Sequence, residues 1–171
     1  VAVKGFALLI GAVAVERVAE LVVSQRNLAW SRERGGREFG AGHYPVMVVL
    51  HTGLLAGALA EAAARRRTPS RALAGAMLTV VVAAQVLRWW CIRTLGRQWN
   101  TRVVVVPGAG RIAGGPYRLM PHPNYVAVVV EGVALPLVGG AWLTSALFTL
   151  CNAALLRTRI SVENAALESL A

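Results

Sequence analysis

His122 stands between Pro121 and Pro123, with Asn124 and Tyr125 after it and Tyr117 five residues before it. Glycines at 108, 110, 114 and 115 lead into this run, so its backbone can turn tightly and come close to a ligand. The prolines restrict the residues that precede them. Asn124 opens an apolar stretch and is expected to cap its helix, and a helix N-terminus favours an anionic group such as a carboxylate. Tyr117 and Tyr125 offer flat faces for an aromatic base. Residue chemistry alone leaves two readings. One is a loop that receives a small anionic, partly aromatic ligand; the other is a Gly/Pro-rich connector between apolar segments.

A second constellation lies in the C-terminal tail, where Arg159 precedes Glu163 by four residues. Arg before Glu is the less favourable order for a helical ion pair. Either the two form a surface pair, or Arg159 meets an anionic oxygen while Glu163 meets amino or hydroxyl groups. A third lies near the start. Glu16, Glu20, Ser24 and Asn27 share one helical face, and Arg17 reaches Glu20 at i,i+3. Ionisable groups inside an apolar helix are costly unless paired or wet. This stripe therefore either holds a helical bundle together or lines a polar cavity. Glu131 either faces that cavity or packs against the charges of the first helix. His51, alone in an apolar run, reads as a hydrogen-bonded bundle residue. Trp89 and Trp90 read as an interfacial aromatic belt.

These groups sit among apolar blocks. Of 171 residues, 56% are hydrophobic and 15% charged, which excludes a disordered chain and departs from the soluble norm of about 25% charged. The chain is expected to be an all-α integral membrane bundle of about five transmembrane helices. The spans are expected at about 3–23, 46–64, 72–90, 124–138 and 141–156, with a polar segment over 93–123 and a helical tail over 157–171. The first span lacks a small-residue cleavage site and reads as retained. The fourth, 15 residues long, covers about 22 Å as a helix against a hydrocarbon core of about 30 Å; Pro136 should kink or close it. The whole reads as one domain, 1–171, with a three-helix part (1–92) and a C-terminal part (93–171) that holds the loop, the apolar hairpin and the tail helix. Cys91 and Cys151 lack metal-ligand spacing and read as reduced packing residues; no metal site is expected.

Lys+Arg number 18 against 8 acids, all Glu, for a net charge of +10. Between apolar blocks such charge sets topology and meets anionic headgroups rather than nucleic acid. Arg26, Arg32, Arg34 and Arg37 follow the first span; Arg93, Arg97, Arg102, Arg111 and Arg118 follow the third; Arg65, Arg66, Arg67 and Arg71 lie between the second and third. The positive-inside rule places the first and third connections in the cytoplasm and the N-terminus outside, as in a bacterial-type inner membrane. The polar segment and the tail then share one side.

The order Gly115-Pro-Tyr117, His122-Pro123-Asn124-Tyr125, an apolar hairpin, and Arg159-Ile-Ser-Val-Glu163-Asn-Ala-Ala-Leu167 resembles the isoprenylcysteine carboxyl methyltransferase family, over about residues 99–167. The resemblance implies a membrane enzyme using S-adenosylmethionine and releasing S-adenosylhomocysteine, with a cytoplasmic cofactor pocket built from the C-terminal half, which makes residues 93–171 the catalytic part. It implies that Tyr117, His122, Pro123, Asn124, Tyr125 and Glu163 bind the cofactor, with the strip Ala109, Gly110, Arg111 and Ile112 and the polar contact Arg102. It makes Arg159 the catalytic residue that meets the substrate near the transferred methyl. Glu16, Glu20 and Glu131 are further substrate-side candidates.

The chain has Pro121 where eukaryotic members often carry Arg, and Asn164 where they carry a second acid. Its first span resembles bacterial members associated with O-methylation of long-chain polyketide lipids. The expected acceptor is therefore an alkylpyrone- or alkylresorcinol-type lipid, or an isoprenyl carboxylate, drawn from the bilayer. The rival readings are a membrane lipid reductase with a nicotinamide cofactor and a non-catalytic small membrane partner protein.

Overall fold

The computed structural model describes residues 3–65 and 69–169; Arg66 and Arg67 of the basic cluster lie outside them. Five helices dominate: α1 (Val3–Arg32), α2 (His43–Ala64), α3 (Arg71–Leu95), α4 (Pro123–Val138) and α5 (Trp142–Ser169). Two three-residue strands, β1 (Arg37–Phe39) and β2 (Val103–Val105), pair antiparallel with Glu38 opposite Val104. The chain is thus nearly all-α, and the small sheet, absent from the sequence-based expectation, ties the connection after α1 to the polar segment.

Local chemistry sets the boundaries. Gly35, at φ 72°, ends the turn after α1, and the Gly36 N–H returns to the Ser31 carbonyl at 2.8 Å, leaving no room for a Cβ at position 36. Ser70 caps α3 by accepting from the Leu73 N–H at 3.2 Å. The first turn of α5 is capped by a different helix: Glu61 of α2 accepts from the Leu143 and Thr144 N–H groups at 3.1 and 2.8 Å. Pro136 lies inside α4, which ends two residues later at Val138, with Gly139 as its cap. The fifth apolar stretch and the polar tail form one continuous helix, because nothing between Leu156 and Ser169 breaks it.

By length and composition, α2 and α3 (with its following turn to Gln98) are apolar enough to cross a membrane. α1 carries Glu16, Arg17 and Glu20, α5 carries Arg157, Arg159 and Glu163, and α4 is a shorter apolar helix of 16 residues. Exposed apolar side chains, including Leu8, Val15, Val49, Val82 and Leu150, cover the outer faces of α1, α2, α3 and α5. So many exposed large apolar side chains mark contact with lipid or protein.

The dry core lies at one end of the bundle, where Phe6, Ile10 and Val13 of α1 meet Ala58 and Ala62 of α2, Val81 of α3, and Ala134, Leu135 and Val138 of α4. Small residues let the helices approach. A Cβ at Gly139 would meet the Phe6 ring at 2.4 Å, and one at Gly132 the Phe148 ring at 2.1 Å.

Next to this core, Glu131 of α4 accepts from Arg17 Nη2 at 2.5–2.6 Å and from Arg88 Nη2 at 2.5 Å. Arg17 Nη1 also donates to Glu20 at 2.5 Å. Two cations and two anions so neutralise one another, which lets them be buried among apolar helices.

Candidate functional site

Beyond the charge layer the helices enclose a cavity of about 590 Å³, walled by all five helices, β2 and the polar segment. The Gly-rich run is held against α3. Gly115, at φ 54°, opens a 3-10 turn (Gly115–Arg118), and a Cβ there would lie 2.5 Å from Thr94 Oγ1. The turn directs Tyr117 to the cavity wall beside Cys91. Burial, and then the adjoining Cys91 thiol, push the Tyr117 phenol well above its ordinary pKa, so it stands as a neutral hydroxyl.

Asn124 is not the cap of α4. His122 holds that position, and Pro123 takes the first helical turn, where its fixed φ suits a helix and its missing N–H costs nothing. Asn124 instead lies on the cavity wall with its buried Oδ1 unpartnered. The His122 ring stacks on Tyr125 at 5.4 Å between centroids. The Tyr125 hydroxyl donates to Glu163 Oε2, and His122 Nδ1 lies 3.7 Å from Glu163 Oε1. The His-Pro turn and the end of α5, 38 residues apart, thus meet in one cluster.

Arg159 and Glu163 take different partners. Arg159, 5% exposed, donates from Nη2 to the Thr101 carbonyl at 2.9 Å, while Nη1 lies 3.4 Å from Met47 Sδ. Its guanidinium carbon is 5.9 Å from the Tyr125 ring centre, and its Nε is buried without a hydrogen-bond partner. Arg102 is fixed by Glu38 at 2.6 Å and lies 3.9 Å over the Tyr44 ring.

Of the residues singled out in the sequence, Arg102, Arg111, Ile112, Tyr117, His122, Asn124, Tyr125, Arg159, Glu163 and Glu20 line this cavity. Ala109 and Gly110, expected to bind the cofactor, do not line it, nor does Pro123, which is the first residue of α4. Glu131 is engaged with Arg17 and Arg88. Glu16 faces α3, where it accepts from Trp89 Nε1 at 2.6 Å and from Gln85; Trp89 is therefore a bundle contact rather than a belt residue. The rest of the α1 stripe clamps the polar segment. Ser24 contacts Asn100 and Thr101, and Asn27 donates to the Gly96 and Trp99 carbonyls at 3.1 and 2.7 Å. Met47, Thr101 and Asn152 are cavity residues that no motif marked.

The family model described as "Isoprenylcysteine carboxyl methyltransferase (ICMT) family" matches residues 77–169, from within α3 to the end of α5. The chain belongs to the isoprenylcysteine carboxyl methyltransferase family. Over 163 residues, 95% of this chain and 96% of the relative, it is 37% identical to the uncharacterized protein YpbQ of Bacillus subtilis (strain 168). No solved structure matches it. Membership in this family implies a membrane O-methyltransferase, and members of the family use S-adenosylmethionine. The matched region contains His122, Tyr125, Arg159 and Glu163, which the fold brings to one cavity.

Proposed function

We propose that this chain transfers a methyl group from S-adenosylmethionine to an oxygen of an amphipathic lipid, of the alkylpyrone or alkylresorcinol type or an isoprenyl carboxylate. The observation that carries the reading is the convergence of His122, Tyr125, Glu163 and Arg159 on a cavity that also has apolar walls from α1 and α2. The cofactor site is the part of the cavity nearest the polar segment. Its residues suit such a group: Glu163 for amino or hydroxyl groups, the unpartnered Asn124 Oδ1 as a further acceptor, the His122–Tyr125 stack for a base, Arg111 for a carboxylate, and Ile112 and Leu167 for apolar contact.

When bound, the cofactor supplies a methyl already activated on a sulfonium. The chain's own task is then alignment and placement of charge. Arg159 is the catalytic residue. Its guanidinium is permanently charged, is anchored by Thr101 and retains an unpartnered Nε for an acceptor oxyanion. A carboxylate arrives ionised. A hydroxypyrone ionises readily, whereas a phenol with a pKa near 10 gains from the field of Arg159. The acceptor's alkyl chain leaves the cavity between α1 and α2, past Val18, Leu21 and Val48, which line it and are also exposed on the outer surface. Keeping that chain in lipid avoids a cost of about 0.8 kcal/mol per methylene.

The arginine pattern supports five membrane-crossing segments with the N-terminus outside and the cavity opening to the cytoplasm. Calorimetric titration of the detergent-purified chain with S-adenosylhomocysteine tests the cofactor, and label from methyl-labelled S-adenosylmethionine in membrane lipids tests the reaction. Micromolar binding and a labelled lipid are expected; binding of NADPH alone would overturn the reading.

A further inference from the structure

Most buried polar groups on the deep wall of the cavity have partners. Arg17, Glu20 and Arg88 are joined in the charge layer; Glu20 Oε1 and Arg88 Nε, which make no hydrogen bond, face each other at 3.5 Å as an ion pair. His51 Nδ1 donates to the Met47 carbonyl at 2.9 Å. Asn152 of α5 is the exception. It lines the cavity, is 2% exposed, and its Oδ1 has no partner. Which end of the amide carries that label is interchangeable, so one end of a buried amide is unpaired either way. An unpaired amide among apolar helices destabilises the empty protein.

The packing of α2 against α5 fixes where Asn152 sits. The helices run antiparallel, with His51 edge-on to Phe148 at 5.3 Å and Gly57 against Thr144. One turn along α5 from Phe148 and one turn back along α2 from His51 bring Asn152 to the level of Met47. The Met47 sulfur is what Arg159 Nη1 touches. Arg159, seven residues on along the same face of α5, reaches toward that level through its contact with the Met47 sulfur, and both side chains line the same cavity. One group carries a permanent charge; the other is a neutral donor and acceptor.

We propose that Asn152 forms a second polar subsite, which hydrogen-bonds a neutral oxygen on the same head group whose ionised oxygen Arg159 receives. The inference rests on the methyl-transfer reading and narrows its acceptor to a ring bearing two oxygens, in preference to a head group with a single reacting oxygen. Selection follows from pairing: an acceptor with the second oxygen completes the amide, and one without it leaves the amide unpaired.

The test compares 5-pentadecylresorcinol with 3-pentadecylphenol as acceptors for the full chain and for Asn152→Leu. The wild type is expected to favour the resorcinol in kcat/KM by tenfold or more, and Asn152→Leu to lose that preference through KM. The thermal midpoint of Asn152→Leu without acceptor is expected to rise, since the unpaired amide is gone. S-adenosylhomocysteine binding reports whether the variant is folded, and Asn152→Ser, which keeps a hydrogen-bonding group, should restore part of the preference. No preference in the wild type, an undiminished preference in Asn152→Leu, or a lowered midpoint for that variant would each overturn the subsite. Methylation of neither probe by a protein that binds S-adenosylhomocysteine also overturns it, whereas failure to bind S-adenosylhomocysteine overturns the methyl-transfer reading itself.

Discussion

Arg159 donates to the carbonyl of Thr101 at 2.9 Å, so the position of the guanidinium depends on a residue 58 places earlier. Thr101 in turn depends on α1: its N–H donates to Ser24 Oγ at 3.1 Å, and the two hydroxyls lie 2.8 Å apart. Ser24 is thus a positioning residue that acts on Arg159 through Thr101. Ser24→Ala leaves the Thr101 N–H without its acceptor and frees the carbonyl that anchors Arg159. Misplacement of a reacting group by about 1 Å costs up to about a hundredfold in rate. We expect kcat to fall about tenfold with little change in KM, and Ser24→Thr, which keeps the hydroxyl, to restore most of it. Equal loss in both constants would mean that Ser24 supports the fold alone.

Glu163 accepts from the Tyr125 hydroxyl and lies 3.7 Å from His122 Nδ1. Its carboxylate therefore joins α5 to the start of α4 and faces the proposed cofactor. Glu163→Gln keeps the shape and removes the charge. Affinity for S-adenosylhomocysteine should fall by a factor of about ten to a hundred, which corresponds to about 1.5–3 kcal/mol for a hydrogen bond to a charged group. Tyr125→Phe removes one hydrogen bond and should cost less. Calorimetric titration measures both, and unchanged affinity in Glu163→Gln would remove this residue from the cofactor site.

The positions of the helices were legible in the sequence because apolar blocks bounded by Gly, Pro and Arg leave few alternatives. The His-Pro turn and the Arg159/Glu163 pair were legible as motifs. Other features were not, because they depend on partners distant in the chain. The strand Arg37–Phe39 has no strand signature of its own and exists through its pairing with Val103–Val105. Asn124 has a good capping side chain, yet Pro123 takes the first helical position and the cap lies two residues earlier, at His122. The α1 stripe was visible as a face, but its division of labour was not: Glu16 serves α3, Glu20 the charge layer, and Ser24 and Asn27 the polar segment. Asn152 carried no signal, since a lone Asn in an apolar helix shows neither its depth nor its neighbours.

Tyr117 should leave a mark on alkaline stability. Burial holds its phenol neutral in the folded protein to a higher pH than in the unfolded chain. Between the unfolded pKa, about 10, and the raised folded value, the folded state binds the extra proton, so stability falls as pH rises. The contribution is fully present below about pH 10. Tyr117→Phe cannot ionise, so its thermal midpoint should decline less steeply than that of the wild type above pH 10. Parallel curves for the two proteins would mean that the phenol is free to ionise in the fold.

The four-membered charge layer makes a sharper demand on folding. Glu131 receives Nη2 of both Arg17 and Arg88 and is 3% exposed. Removing one partner of a buried ion pair costs about 3–5 kcal/mol, because the remaining charge stays buried. Here Glu131→Leu strands the Arg88 cation, which has only the longer 3.5 Å contact to Glu20 left, while Arg17 keeps its 2.5 Å bond to Glu20. The double variant Arg88→Met/Glu131→Leu removes one cation and one anion together and should recover much of the loss. Thermal unfolding in detergent would measure both. A double variant no more stable than Glu131→Leu would mean that the layer stabilises the bundle through packing shape and not through charge balance.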